Sequence, residues 1–405
     1  TKAPEASRAT GSQVFKGERI YLTSQTPDAK IWYSLDGTCP CDMTVGHVFP
    51  YNPETGVEIT SDSILLKALA IANDYEESNV ATFRYILAKA SATFDMAQGW
   101  NWISSNLADN LDVTQLSVSS GSYVTTSDGV TTVQTMQPAT VYKAYMSNRT
   151  TATVTGAAFN TAEYAQMLIA GWNWVAYTLQ RPLTVADALS TTKAAEGDML
   201  VGQDGFVEYV NGQWTGTLRT LVPGKGYRYY ATESIMLCLN SAIIAEPEPV
   251  DTYKSHWPLD MHRYPELMPV TAILTDGAVE LGDDYVVAAF NNDFSSCLGE
   301  AQWVDGRLLL LVGGEQNALI RYIVLHQPTG KLYDIQETAN FFTDRRSSRQ
   351  HPMTLTIGGE NTGVNVVMLP VSDGTMPLYD LQGRRINGQY QRGIYVSGGR
   401  KVVVK

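Results

Sequence analysis

No run in this chain approaches the roughly 18–20 consecutive apolar residues that a membrane-crossing helix needs, so no transmembrane helix is expected. The apolar residues come instead as short stretches such as YVVAAF and RLLLLV, bounded by Gly, Asp and Asn. Positive charge is also scarce. With 29 basic against 41 acidic residues the formal charge is −12, which leaves phosphate repulsion unopposed and excludes nucleic acid as a partner. The five histidines, His47, His256, His262, His326 and His351, fall in no metal-ligand spacing. Cys39-Pro40-Cys41 has only His47 nearby, too few soft ligands for zinc. Neither a metal nor another cofactor is expected. A G-x-S-x-G elbow and a phosphate-binding loop are missing too, and no two carboxylates can be assigned to glycoside cleavage. The residues present describe no enzyme.

What is there is β-forming. A chain of 405 residues exceeds one ordinary core, so roughly two to four domains are expected. Hydrophobic content of 44% with 17% charge is that of folded protein. Gly and Asp punctuate a sequence rich in Tyr, Thr and Val roughly every 8–12 residues, the rhythm of small strands and turns. The fold class expected is all-β: an array of β-sandwich and immunoglobulin-like modules with short helices. Residues 1–13, TKAPEASRATGSQ, read as a linker, and any catalytic domain would then lie upstream of residue 1. Cys39, Cys41, Cys238 and Cys297 allow three pairings, and sequence leaves the choice open.

Residues 14–90 read as a small sandwich. In AKIWYSLDGT, Ile31 and Tyr33 share one face, Trp32 takes the other, and Asp36-Gly37 turns the chain. The turn S-L-D-G-T followed by K-A-L-A resembles the immunoglobulin-like module at the C-terminus of chitobiases and β-hexosaminidases. That resemblance implies a spacer or accessory domain without catalysis. Cys39-Pro40-Cys41 stands where that family carries a plain loop.

Residues 91–247 hold a duplication. Gly99-Trp100-Asn101-Trp102-Ile103 recurs as Gly171-Trp172-Asn173-Trp174-Val175, and QPATVYKAYM later matches VPGKGYRYYA. Each copy predicts a few strands and one short helix or turn, near Leu111–Leu116 and Val185–Leu189. One copy buries little surface alone, so the two should pack as a single pseudo-symmetric domain. Alternation places Trp100 and Trp102 on one face with Asn101 opposite, the pattern of a half-buried core strand. The alternative is a glycan-binding or host-adhesive surface in which Trp100, Trp172 and Trp214 offer their rings to sugar. Trp214, in the loop-like VNGQWTG, is the ring best placed for exposure.

Residues 248–358 form a third unit, expected as a β-sandwich accessory domain. Asp283-Asp284 and Asn291-Asn292-Asp293 flank the strand YVVAAF and read as turn initiators in preference to a calcium site. The order Trp257, Tyr264-Pro265, Val287–Phe290, Cys297 and Gly299 resembles a β-sandwich module found near the C-termini of secreted Bacteroidetes proteins, and implies no activity. Residues 359–377 read as a Gly/Asn/Pro linker.

Residues 378–405 are a basic, strand-forming tail. Y-D-L-Q-G-R-R, then R-G-I-Y-V, a Gly-Gly turn and K-V-V-V-K closely resemble the C-terminal sorting domain of the Bacteroidetes type IX secretion system. Tyr379, Asp380, Gly383, Arg384, Gly393, Ile394, Tyr395, Lys401 and Lys405 fall on that pattern. The resemblance implies recognition by the type IX machinery and export through the periplasm, ending in secretion or attachment to the outer-membrane surface. The whole chain is then expected to be a non-catalytic accessory region. A hydrolase whose site the sequence does not reveal is the remaining rival.

Overall fold

The computed structural model describes residues 1–44, 46–60, 63–244, 247, 253–344 and 347–361, together with the backbone of the strands Gly393–Ser397 and Arg400–Val404. The chain is all-β. Among the described residues only two helical turns of four residues appear, Val113–Leu116 and Val185–Ala188.

The first unit is a five-stranded sheet in the order Gln13–Val14, Ala81–Leu87, Ser63–Ile71, Lys30–Ser34, Phe49–Pro50. Alternate residues of its strands, Ile64, Leu66, Ala68 and Ala70 from one and Tyr85 and Leu87 from another, turn inward onto Val14, Ile20 and Val57. The Asp36 carboxylate accepts from Thr38 N at 2.9 Å. Gly37 sits at φ +84 against the Leu65 side chain, where a Cβ would collide. Residues 1–13 are not a linker. Glu5–Ala6 pairs with Leu22–Thr23, and Gln13–Val14 runs parallel to Ala81–Leu87. Gly11 N donates to Arg84 O at 2.7 Å. Polar Pro/Ala/Ser composition signalled solvent, whereas these residues bond through their backbones along the sheet margin. Cys39 pairs with Cys41, leaving Cys238 and Cys297 as free thiols.

Tyr85 gives this unit a pH signature. Its ring is 4% exposed, its hydroxyl donates to Arg8 O at 2.9 Å, and burial pushes its pKa up to about 12. Below the ordinary tyrosine pKa of about 10 both the folded and the unfolded state hold the proton, so nothing changes. Above it the unfolded chain ionises first, and stability falls by about 1.4 kcal/mol per pH unit until the folded pKa is reached. Urea titrations between pH 9 and 12 (roughly bracketing that window) should show this loss, and Tyr85→Phe should flatten the slope by that amount.

At Ala88 the chain changes partners. Lys89–Met96 pairs with Thr150–Ala157, beside a three-stranded sheet of Gly99–Ser104, Val141–Met146 and Tyr123–Thr126, with Leu111–Asp112 on Thr135–Met136. The second copy repeats each pairing. Ala165–Leu168 lies on Ile235–Cys238, Gly171–Ala176 on Gly226–Ala231 with Met199–Gly202 beyond it, and Leu183–Thr184 on Thr220–Leu221. Each helical turn follows its short strand, capped by the Asp112 carboxylate in one copy and the Thr184 hydroxyl in the other. The second copy also carries the hairpin Gly205–Val210/Gln213–Gly216, which lengthens it.

The third unit is one sheet folded over itself. Its order runs Cys297–Glu300, Tyr285–Asn291, Leu319–His326, Lys331–Asn340, Met353–Glu360, Leu267–Asp276, Arg307–Gly313, Gln302–Val304. The two end strands are separated in sequence only by Ala301, so the layers expected as a sandwich are joined along their rim. Gly299 permits the closure, since a Cβ there would strike the Leu311 carbonyl. Met268, Val270, Ala272, Val287, Leu310, Tyr322 and Phe341 fill the interior. Gly359 and Glu360, expected to open a linker, continue the last strand, with Glu360 opposite Tyr333. In the tail, Gly393–Ser397 pairs antiparallel with Arg400–Val404, Tyr395 facing Val402. Tyr379, Asp380, Gly383, Arg384 and Lys405 lie outside the described residues.

Candidate functional site

The G-W-N-W segment is a device for presenting two indoles from one strand. Gly99 and Gly171 take φ +95 and +99, turning the chain into its strand. Asn101 then folds back: its Nδ2 donates to Ala97 O and Gly99 O at 2.8 and 3.0 Å, and its Oδ1 accepts from Ala97 N at 2.9 Å. Asn173 makes the same three bonds, to Ile169 O, Gly171 O and Ile169 N, at 2.7, 2.9 and 3.1 Å. Each asparagine staples the strand entrance and leaves the opposite face to tryptophan. Short-range chemistry explains the repeated Asn.

On that opposite face Trp100 meets Tyr145 and Tyr123 edge-on at 5.4 and 5.7 Å. Trp172 meets Tyr230 at 5.3 Å, with the Arg228 guanidinium 4.4 Å over its ring. One pleat further, Trp102 and Trp174 touch each other edge to face at 4.9 Å. The two copies therefore confront one another through their second tryptophans. Trp102 is 1% exposed.

The third unit closes over this face. Trp102 Nε1 donates to Pro265 O at 2.9 Å, Trp172 Nε1 to Asp344 O at 3.1 Å, and Arg228 to Thr343 O at 2.9 Å. Leu267, Leu309 and Leu311 of the third unit pack with Trp102, Met199 and Phe206. His262 Nδ1 bonds Trp100 O at 2.7 Å, while Trp100 N donates to His262 O at 2.6 Å. Lys143, buried beneath the Trp174 ring, pairs with Glu266 of the third unit. Burial pushes the Lys143 ammonium pKa down, and the Glu266 carboxylate draws it partly back. Arg228 is lowered by burial as well, with Glu266 and Asp344 opposing.

The sugar-platform alternative meets a physical obstacle at these positions. Trp100 and Trp172 are half-buried among tyrosines and arginine. Trp214 is not in a loop: it lies in the strand Gln213–Gly216, opposite Tyr209. It meets Tyr209 and Tyr229 at 5.2 and 5.9 Å and packs on the core of the second copy. The N-G turn before it was legible, but the return strand was not. Where the two copies meet the third unit a cleft of about 450 Å³ remains. Its polar walls are already paired, Gln203 with the Trp102 and Trp100 backbone, Gln180 with Asn106, Arg149 with Asp95.

The turn-initiator expectation has a direct counterpart. Asn291 and Asp293 cap their own turn, accepting from Ser296 N and Ser295 N at 3.0 Å each. His256 joins Tyr253 and Ser255 around the buried Glu300 carboxylate, at 2.8, 2.6 and 2.7 Å. No group of three or more potential metal ligands occurs among the described residues. Sequence reasoning missed Lys143, Arg228 and Glu266. The signal was present, since YKAY and YRYY put a cation at the same place in both copies of an otherwise apolar strand.

A family model described as Fn3 associated matches residues 20–85. That span covers the first sheet from Ile20 to Tyr85, an immunoglobulin- or fibronectin-like associated β module. No curated protein matches the chain.

Proposed function

We propose that this chain is a non-catalytic accessory region of a secreted or cell-surface protein, addressed for export by its basic tail. In this reading residues 14–90 are a spacer of the chitobiase C-terminal type. Residues 91–247 are a duplicated domain, and residues 248–358 a further accessory domain locked to it. Residues 378–405 are a type IX sorting element. The observation that carries the reading is the order of Tyr379-Asp380, Gly383-Arg384, Gly393-Ile394-Tyr395 and Lys401 in the tail. Support comes from the hairpin Gly393–Ser397/Arg400–Val404, a small paired unit that a receptor strand could extend. The Cys39–Cys41 bridge suits an oxidising compartment. The tryptophans serve to weld modules together. Fusing residues 359–405 to a fluorescent reporter in a bacterium with the type IX system tests the address. Export of the reporter is the expected result, and retention in the periplasm counts against it.

A further inference from the structure

The two copies of the duplication are covered unequally. In the first, the outer edge of Gly99–Ser104 is sealed by His262: Trp100 N donates to His262 O at 2.6 Å, and His262 Nδ1 bonds Trp100 O at 2.7 Å. In the second, Trp174 O points away from the neighbouring strand Gly226–Ala231 and accepts from Gln166 Nε2 at 2.8 Å. In an antiparallel ladder a residue's N–H and C=O face the same side, and residues two apart agree. Trp172 N and O therefore face outward as well, and neither has a partner among the described residues. The space beside them is open. A Cβ on Gly99 would strike His262 O at 2.3 Å, whereas one on Gly171 would meet nothing within 4 Å. Asn101 is buried, and Asn173 only half-buried.

The surrounding side chains differ in the same sense. The shared asparagine bonds equate Ala97 with Ile169, and the ribbon registers then equate Asp95 with Met167, Thr151 with Met236 and Asn148 with Glu233. In the first copy Asp95, Ala97 and His262 border one cleft. In the second, the cross-strand neighbours Met167 and Met236 are 62% and 47% exposed, and Ile169 is 65% exposed. A polar Asp/Thr pair has given way to a Met/Met pair beside an unpaired strand edge, the combination that marks an interaction surface. Glu233 is exposed at its margin. A second copy of this chain is a poor occupant, since it would bring two Glu233 carboxylates and two bodies of charge −12 together. We propose that the edge at Gly171–Trp174 docks an extended peptide segment of a partner protein. The segment pairs with Trp172 N and O, lays an apolar side chain on Met167 and Ile169, and faces Glu233 with a cation. The seating of His262, between Met261 and Arg263, on the first copy is the template. The proposal is independent of the export reading.

A fluorescein-labelled peptide copying residues 259–264 with Asp260→Lys keeps Met261 and Arg263, adds a cation, and probes the full chain by anisotropy. It should bind, and amide exchange at Trp172 should slow while that at Trp100, already bonded, stays as it was. Met167→Asp combined with Met236→Thr, the residues of the first copy, should weaken binding about tenfold with the melting temperature unchanged. Glu233→Lys should reverse the charge preference, so that a peptide with Asp260 retained and Arg263→Glu binds the better. No binding at about 1 mM peptide, binding indifferent to both variants, or slowed exchange elsewhere than at Trp172 would each overturn the assignment. So would sedimentation showing a dimer of the free chain that Met167→Asp with Met236→Thr dissolves, because the face would then belong to a second copy.

Discussion

Trp102→Ala should destabilise the protein by about 3–5 kcal/mol, the range for truncating a fully buried large aromatic. The site has little freedom to collapse, because each neighbour is held by something else. Trp174 is pinned between the Trp102 edge and the Lys143 ammonium, Pro265 O would lose its donor, and Leu309 and Leu311 are fixed in a central strand. The loss should also be of a particular kind. Trp102 touches the second copy and the third unit together, so calorimetry should show one cooperative transition separating into two. Glu266→Gln should produce the same separation without a cavity, by leaving Lys143 buried opposite a neutral group. Trp214→Ala is the control: its ring is half-buried on a single core, and truncating it should cost less and leave the transition whole. If Trp102→Ala were as stable as the parent chain, the tryptophan face would be no weld.

How far this arrangement was legible depended on the range of the forces involved. The duplication could be read because G-W-N-W is a local device: a glycine turn, an asparagine staple and alternation all act within about five residues. The turn at Asp36-Gly37 and the Asx turn at Asn291–Asp293 were legible for the same reason. Burial of Trp102 was foreseen in kind, as core, but its partner was not, since Pro265 lies 163 residues away. The N-terminal segment was misjudged because its order comes from backbone bonds to Leu22 and Arg84, to which composition is blind. Trp214 was misjudged because a two-residue turn hid a strand behind it. Glu300 looked unremarkable in sequence, and only the fold brings Tyr253, Ser255 and His256 to its carboxylate.

The tail stands apart from these packed units in charge as well as in pattern. It carries Arg384, Arg385, Arg392, Arg400, Lys401 and Lys405 against Asp380, on a chain of net charge −12. About 28 residues are too few to support a core unaided, which suits the proposed role of an element read by a partner through the strand edges of its hairpin. The most direct measurement is the fate of the chain lacking residues 378–405 in a bacterium that possesses the type IX system. Fractionation should find the truncated chain folded, with the melting temperature of the parent, and trapped in the periplasm while the intact chain reaches the cell surface or medium. Equal export of the two forms would contradict the account.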